Sequence, residues 1–271
     1  MSVPETSRLL YCDDVKYFHD CSSAMASASF QFDLNRLSTW AAFTGMVFNI
    51  LKCCLLFIGK EQLQKAYYLQ GQQIPVVDSA RDLGTWINHR ADFSTHLAHA
   101  LCVGYGLANL IKQNFRCRSR ELWSMLYTVY LLPSIMFGAA EWYQPSASND
   151  AKLMRLYRFY WRMCPAGPPP SILNPLEEIR KLSFLLIHRV ASNRTSLNAA
   201  DFMPNIAHLH RTRSAVQRRT FIERSDSRPL RCSLFHRLRE DWNSLPEQVR
   251  SLPKKAFRDH IVQKIISERG R

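Results

Sequence analysis

The sequence predicts an α+β fold, with short β-hairpins and one helix in the N-terminal third and helices over the rest of the chain. Three features of its 271 residues carry this. Residues 7–18 and 67–87 hold short apolar segments interrupted by turn residues, the pattern of hairpins. Between them Phe30, Leu34, Leu37 and Ala41 recur at helical spacing. From Phe93 onward the apolar spacing is helical again.

The first hairpin is RLLYCDDVKYF, residues 8–18, with Asp13 and Asp14 at its tip. Adjacent carboxylates repel, so the pair needs water, a cation or a raised pKa. Two readings fit: an ordinary polar turn, or an oxygen site for Mg²⁺, which takes one or two carboxylates and fills its shell with water and phosphate. A helix over 24–42 follows and ends at a Thr44-Gly45 turn. The run MVFNILKCCLLFIG, 46–59, is largely apolar and strand-like in content. Two further β segments flank a turn at Gly71, and another turn falls near Asp82 to Gly84.

Ser94 is expected to cap a helix reaching about Asn114. Ser119 is expected to cap the next, with Glu121 in its first turn. That helix enters the most apolar window, residues 122–140, where Pro133, two serines and a threonine favour a kinked core helix over a membrane span. A helix over 151–163 points Leu153, Leu156, Tyr157 and Tyr160 inward and Arg155, Arg158 and Arg162 partly outward. The four prolines of residues 165–170 mark a linker. A helix over 175–192 starts with Glu177 and Glu178, and a final module carries Trp242, Leu245, a break at Pro246 and an amphipathic helix.

Composition narrows the class. With 46% hydrophobic and 21% charged residues the chain is globular. The net charge of +14 is uneven: residues 1–179 have 16 Lys and Arg against 14 Asp and Glu, and residues 180–271 have 20 against 8. This basic third suits a phosphate backbone or an acidic membrane surface, or is simply a solvated face. Within it Arg211, Arg213, Arg218 and Arg219 are candidates to follow a phosphate backbone, with Phe221 available for stacking. The eight cysteines form no CxxC pair, which argues against a zinc ribbon and points to reduced intracellular thiols. His96, His99 and Cys102 drift around a helix surface by about 60° per step and make a poor metal site. The opening MSVPETSRLL lacks the apolar core of a signal peptide.

The order of motifs is more specific than any one of them. YCDDVK, then DLNRLSTWA, MVFNILKC, VVDSARDLGTWI and FSTHL resembles the second half of the reverse transcriptase of non-LTR (LINE-like, jockey-type) retrotransposons. LYTVYLLPSIMFGAAEW resembles the thumb of these enzymes, and SLFHRLREDWNSLP their C-terminal segment. The resemblance covers essentially the whole chain. It implies a partial polymerase palm over 1–92, an all-α thumb over 93–164, the Pro-rich linker over 165–174 and a basic helical segment over 175–271.

Residue by residue, the resemblance implies that Tyr11, Cys12, Asp13 and Asp14 are the catalytic YxDD hairpin. Asp13 would bind the catalytic Mg²⁺ ions, Asp14 would support the site and Tyr11 would pack near the primer end. Asn49 and Lys52 match the next palm motif, whose Lys is proposed to protonate the pyrophosphate leaving group. Leu83 and Gly84 match the element that grips the primer. Two positions depart from the pattern: Cys12 stands where Ala is commoner, and Asp82 where an aromatic is common.

The implied partners are an RNA template, a DNA primer and dNTP, with no membrane, and the implied setting is intracellular and nuclear. Polymerisation in this family needs a third Asp and the fingers, both N-terminal to YxDD, and only ten residues precede Tyr11. The expectation is therefore a reverse transcriptase fragment inactive by itself. Two alternatives are one part of a longer complete enzyme and a non-catalytic nucleic-acid-binding module. A palm cut before its YxDD hairpin also exposes strand edges, so residues 1–90 alone are expected to be poorly soluble.

Overall fold

A computed structural model describes residues 7–12, 14–20, 23–59, 66–192, 194–195 and 239–269. The chain divides into two compact units, Met1–Thr95 and His96–Arg271. Helices and antiparallel hairpins occur together, as an α+β chain requires.

Among its described residues the first unit has three two-stranded hairpins and one long helix. Strands β1 (Ser7–Tyr11) and β2 (Asp14–Phe18) pair with Tyr11 opposite Asp14. β3 (Tyr68–Leu69) and β4 (Gln72–Gln73) close through Gln70 and Gly71. β5 (Ser79–Asp82) and β6 (Thr85–Asn88) close through Leu83 and Gly84. All three loops have two residues, and the first of each, Cys12, Gln70 and Leu83, has a positive φ. Such turns match the right-handed twist of the paired strands.

Helix α1 (Ala24–Thr44) holds the first two of these ribbons. Ser23 caps its start by accepting from Ala26 N–H, and Gly45 at φ +72° ends it, at the turn expected from the sequence. Its inner face buries Phe30, Leu34 and Ala41, and Tyr67, Leu69 and Ile74 complete the core. Its polar side chains serve as a strand would: Gln31 donates to the Tyr68 carbonyl at 2.8 Å and accepts from its N–H at 2.9 Å, and Ser38 accepts from Gln70 N–H. Buried Ser27 shares a 2.5 Å hydrogen bond with Tyr67.

The strand expected within 46–59 does not form. Asn49 accepts from Leu51 N–H and turns residues Ile50–Lys52 into a 3₁₀ turn. Among the described residues of this run Leu55 alone pairs as a strand would, in a single parallel bridge to Val76. An apolar run without a continuous partner cannot satisfy its backbone as a strand.

The second unit is helical. α2 (Ser94–Asn114) starts one residue earlier than the sequence implied. Ser94 is the first helical residue, and Asp92 is the cap, accepting from Ser94 N–H and from the Asn88 amide. Partial burial pushes the Asp92 carboxyl up, but the bonds from Ser94 and Asn88 and the charge of Arg90 outweigh it and hold the pKa low. Ser119 caps α3 (Arg120–Leu126) as expected.

A π-helical turn, Tyr127–Leu131, joins α3 to α4 (Leu132–Met136). Leu132 N–H reaches back to the Tyr127 carbonyl, widening the helix just before Pro133, which has no N–H to give. The apolar window is therefore irregular and buried on one side only: Trp123, Tyr127, Leu131 and Ile135 are inside, whereas Met125, Val129, Tyr130 and Phe137 are exposed. Among the described residues no helix is long and apolar enough to cross a membrane.

After α5 (Ala139–Trp142), α6 (Ala147–Trp161) starts earlier than its apolar spacing implies. Ser146 caps it, and Asp150 in its first turn is bonded to the Tyr143 hydroxyl. Leu153, Leu156, Tyr160 and Trp161 are buried as its inner face, with Tyr157 at the margin. An aromatic cluster of Trp123, Tyr127, Tyr157, Tyr160 and Trp161 forms here. Burial raises its tyrosines, Tyr157 to about 12.

The Pro-rich stretch lies within this unit and is held by arginines. Arg118 donates to the Met163 carbonyl at 3.0 Å and Arg120 to that of Ala166. Arg269 donates to Pro170 at 2.5 Å and Ile172 at 2.7 Å.

Helix α7 (Pro175–Ala191) begins in a capping box between Asn174 and Glu177. It packs against α4, α5 and α6. The final module consists of α8 (Arg239–Asn243), α9 (Glu247–Arg250) and α10 (Lys254–Glu268). It buries Trp242, Leu245, Phe257, Ile261 and Ile265 against Phe184 and Ile187 of α7. His188 stacks on Phe257 at 4.1 Å and donates through Nε2 to the Leu252 carbonyl at 2.9 Å.

Two measurements check this packing. A Cβ on Gly104 would lie 2.5 Å from Leu156 Cδ2 and 2.9 Å from Ile135 Cγ2, whereas one on Gly106 meets nothing within 4 Å. Gly104→Ala should lose about 1–3 kcal/mol in urea denaturation, and Gly106→Ala should gain up to about 1 kcal/mol from helix propensity.

Burial pushes the His188 pKa below its usual value, the bond to Leu252 opposes this and the charge of Arg194 adds to it. The unfolded chain then binds a proton before the folded one does. Stability of this unit should be level above about pH 6.5 and fall as pH drops through the window below it. Thermal melts from pH 8 to pH 5 should show that slope, and His188→Gln should reduce it.

Candidate nucleic-acid and metal site

The β1–β2 ribbon brings its apolar side chains into a definite register. Tyr17 packs on the core of the first unit. His19, just beyond β2, stacks on Phe30 at 5.4 Å and donates to the Ala26 carbonyl at 2.7 Å. These contacts seat the ribbon on α1 and leave its tip outside the core. Tyr11 and Asp14, the last and first residues of the two strands, are both exposed. Asp13 lies outside the described residues.

Cys12 occupies the first turn position with φ +53°. A side chain there is strained, and Asn or Gly would adopt this conformation with less cost. Asp14 opens β2 opposite Tyr11, so the described carboxylate of the pair stands at the last rung of the ladder, next to the turn.

The second hairpin supports the first. Lys16 of β2 forms an ion pair with Asp82, the last residue of β5. Lys16 is two residues past Asp14, and Asp82 directly precedes Leu83, so the pair joins the ribbon of the acidic turn to the ribbon of the Leu83-Gly84 turn. Both partners are about 40% exposed, which limits the pair to between zero and about 1 kcal/mol. Its role is alignment rather than strength. Asp82 is the residue of the β5–β6 ribbon that makes this link. In the turn itself Leu83 at φ +45° and Gly84 at φ +95° leave the leucine side chain exposed.

Lys52 ends the 3₁₀ turn and is exposed, with Asn49 fixing the turn through its side chain. Among the described residues no hydrogen bond or ion pair joins Lys52 to either hairpin. Neighbouring Cys53 is half-buried and Cys54 exposed, and desolvation raises both thiol pKa values. Arg211, Arg213, Arg218 and Arg219 all fall outside the described residues.

As a metal site the described part holds one exposed carboxylate, that of Asp14. Among the described residues no three His, Cys, Asp or Glu are grouped to hold an ion. His96 is buried edge-on to Trp142, whereas His99 and Cys102 are exposed, so that trio does not converge.

A basic surface in the described residues was only half legible in the sequence. Lys152, Arg155, Arg158 and Arg162 are all exposed on and just past α6, whose exposed face carries no acid. Their alternation with the buried Leu153, Leu156 and Tyr160 is the signal that finds them.

Comparison with family models, with curated proteins and with solved structures finds no match to this chain.

The turn chemistry is testable by itself. Leu83→Asn should raise the stability of the first unit by about 0.5 kcal/mol, because Asn adopts positive φ readily, and Gly84→Val should lower it by about 1–2 kcal/mol. Thermal melts followed by circular dichroism distinguish the two.

Proposed function

We propose that this chain is a fragment of an RNA-directed DNA polymerase of the non-LTR retrotransposon kind, one that binds nucleic acid and does not polymerise by itself. The observation that carries the reading is the Lys16–Asp82 pair, which joins the YCDD ribbon to the Leu83-Gly84 ribbon. Two motifs matched independently in sequence to the catalytic turn and the primer grip are thereby neighbours in the first unit. The ordered series of motifs along the chain supports the same reading.

In this reading Asp13 and Asp14 hold Mg²⁺ together with a carboxylate from another segment. The ion supplies charge stabilisation at the phosphoryl oxygens. Tyr11 and the Leu83-Gly84 turn position the primer end. Lys52 is the proton donor to the leaving pyrophosphate, a transfer that contributes about 100 to 10,000-fold where it operates. Two adjacent carboxylates cannot by themselves enclose two metal ions, so in this reading the chain alone is inactive. RNA template, DNA primer and dNTP are the partners of the assembled enzyme, and a nuclear site of action follows from the same reading.

The exposed Lys152, Arg155, Arg158 and Arg162 favour a second reading, a binding module derived from such an element in which the acidic turn does no chemistry. They also give the first reading a phosphate-contacting surface.

The test is a primer–template duplex titrated with the purified chain. Binding should weaken about 100-fold between 50 and 200 mM salt if roughly four phosphates are neutralised. Charge reversal at Arg155 and Arg158 should reduce both affinity and salt slope, whereas Asp13→Ala should leave binding intact. No primer should be extended in Mg²⁺ and dNTP. Salt-independent binding would remove the nucleic-acid reading, and extension by the chain alone would remove the claim of inactivity.

A further inference from the structure

Helix α1 has a second apolar face. Its inner face buries Phe30, Leu34 and Ala41, yet Met25, Phe32, Trp40 and Phe43 on the opposite side are 73, 63, 48 and 91% exposed. At 100° per residue these four fall on one outward stripe together with Ala28 and Arg36. A polar outer face would be ordinary, but this one carries ~600 Å² of apolar surface, at the upper end of what a soluble monomer leaves contiguous.

We infer that this stripe is the contact surface of a symmetric dimer in which α1 packs antiparallel against α1 of a second copy. Three observations choose a second copy over other occupants. The stripe is its own complement about Leu34: Met25 and Phe43 lie nine residues to either side, Ala28 and Trp40 six, and Phe32 and Arg36 two. An antiparallel pair centred there sets each member against its mate, as an isologous contact demands. The mates are also chemically matched. Thioether meets phenyl ring, indole meets the smallest side chain of the stripe, and the guanidinium lies on an aromatic face.

Charge permits the contact. Residues 1–95 carry eight Lys and Arg against nine Asp and Glu, so the unit that holds α1 is near neutral while the basic excess lies elsewhere. Arg36 is 73% exposed and pairs within the helix only at 3.9 Å with Asp33, which leaves it free to lean across the seam. Two such stripes bury ~1,200 Å², the lower bound for a specific interface. The inference is independent of the proposed function, since it uses none of the hairpin residues.

Sedimentation equilibrium of the full chain at high salt, which prevents bridging by nucleic acid, should show a monomer–dimer equilibrium. Phe32→Glu combined with Phe43→Glu should raise the dissociation constant by about tenfold or more. Both side chains are exposed, so the variant should keep its circular dichroism spectrum and melting profile. Register is read separately, by placing a photo-reactive benzoylphenylalanine at position 43 in a mixture of ¹⁴N- and ¹⁵N-labelled chains. Cross-links from position 43 of one copy to peptides around Met25 of the other support the arrangement. A monomer at every concentration, a dimer indifferent to the double substitution, or cross-links to any other segment would overturn it.

Discussion

The burial of α7 is the constraint on which the second unit depends. Phe184, Ile187 and Val190 lose all contact with water because α4, α5 and α6 flank this helix and the final module closes over it. A helix hidden on several sides must satisfy its ends internally, and α7 does so. Asn174 and Glu177 cap one end reciprocally, and Ser192 N–H returns to the His188 carbonyl at the other. Arg180, midway along, bonds both Asp241 and Glu268, so the distant final module is pinned by charge as well as by Trp242 and Phe257. Burial opposes the Arg180 charge, and the two carboxylates more than restore it.

The first unit has no comparable strut. Its hairpins are two-stranded, and isolated two-stranded ribbons are marginal in water. They persist because α1 offers Gln31, Ser38 and Ser27 as hydrogen-bonding partners and Phe30 as a stacking surface. One helix thus supports the β1–β2 and β3–β4 ribbons directly, while the Lys16–Asp82 pair ties β5–β6 to β2, and the helix still presents an apolar stripe outward. Local backbone strain concentrates where the ribbons turn, at Cys12, Gln70 and Leu83. Two of these three, Cys12 and Leu83, turn the ribbons that the Lys16–Asp82 pair joins.

Legibility in the sequence followed the range of the interaction. Helices with a clear apolar period, α1, α3 and α7, were readable with their caps, because Gly45, Ser119 and the acidic start of α7 act within one turn. The hairpin turns at Gly71 and Gly84 were readable for the same reason. Errors arose where a longer-range partner decided. Residues 46–59 have strand composition, but pairing depends on Val76, which offers only one bridge. Asp92 displaced Ser94 as the cap because Asn88, four residues back, holds it in place. For the candidate site, the acidic turn and the Leu83-Gly84 turn were legible separately. Their juxtaposition through Lys16 and Asp82 was not, since nothing local marks a pair 66 residues apart.

Arg269 has a consequence beyond packing. Its guanidinium spans the Glu177 carboxylate and the carbonyls of Pro170 and Ile172, so the last turn of the described chain clasps the connector between α6 and α7. Prolines already stiffen that connector. With the clasp added, it behaves as a splint rather than a hinge, and the helices on either side of it move as one piece. Cleavage or fusion near Arg269 would therefore be felt at the far end of the unit, as slack in a joint that the prolines alone do not lock.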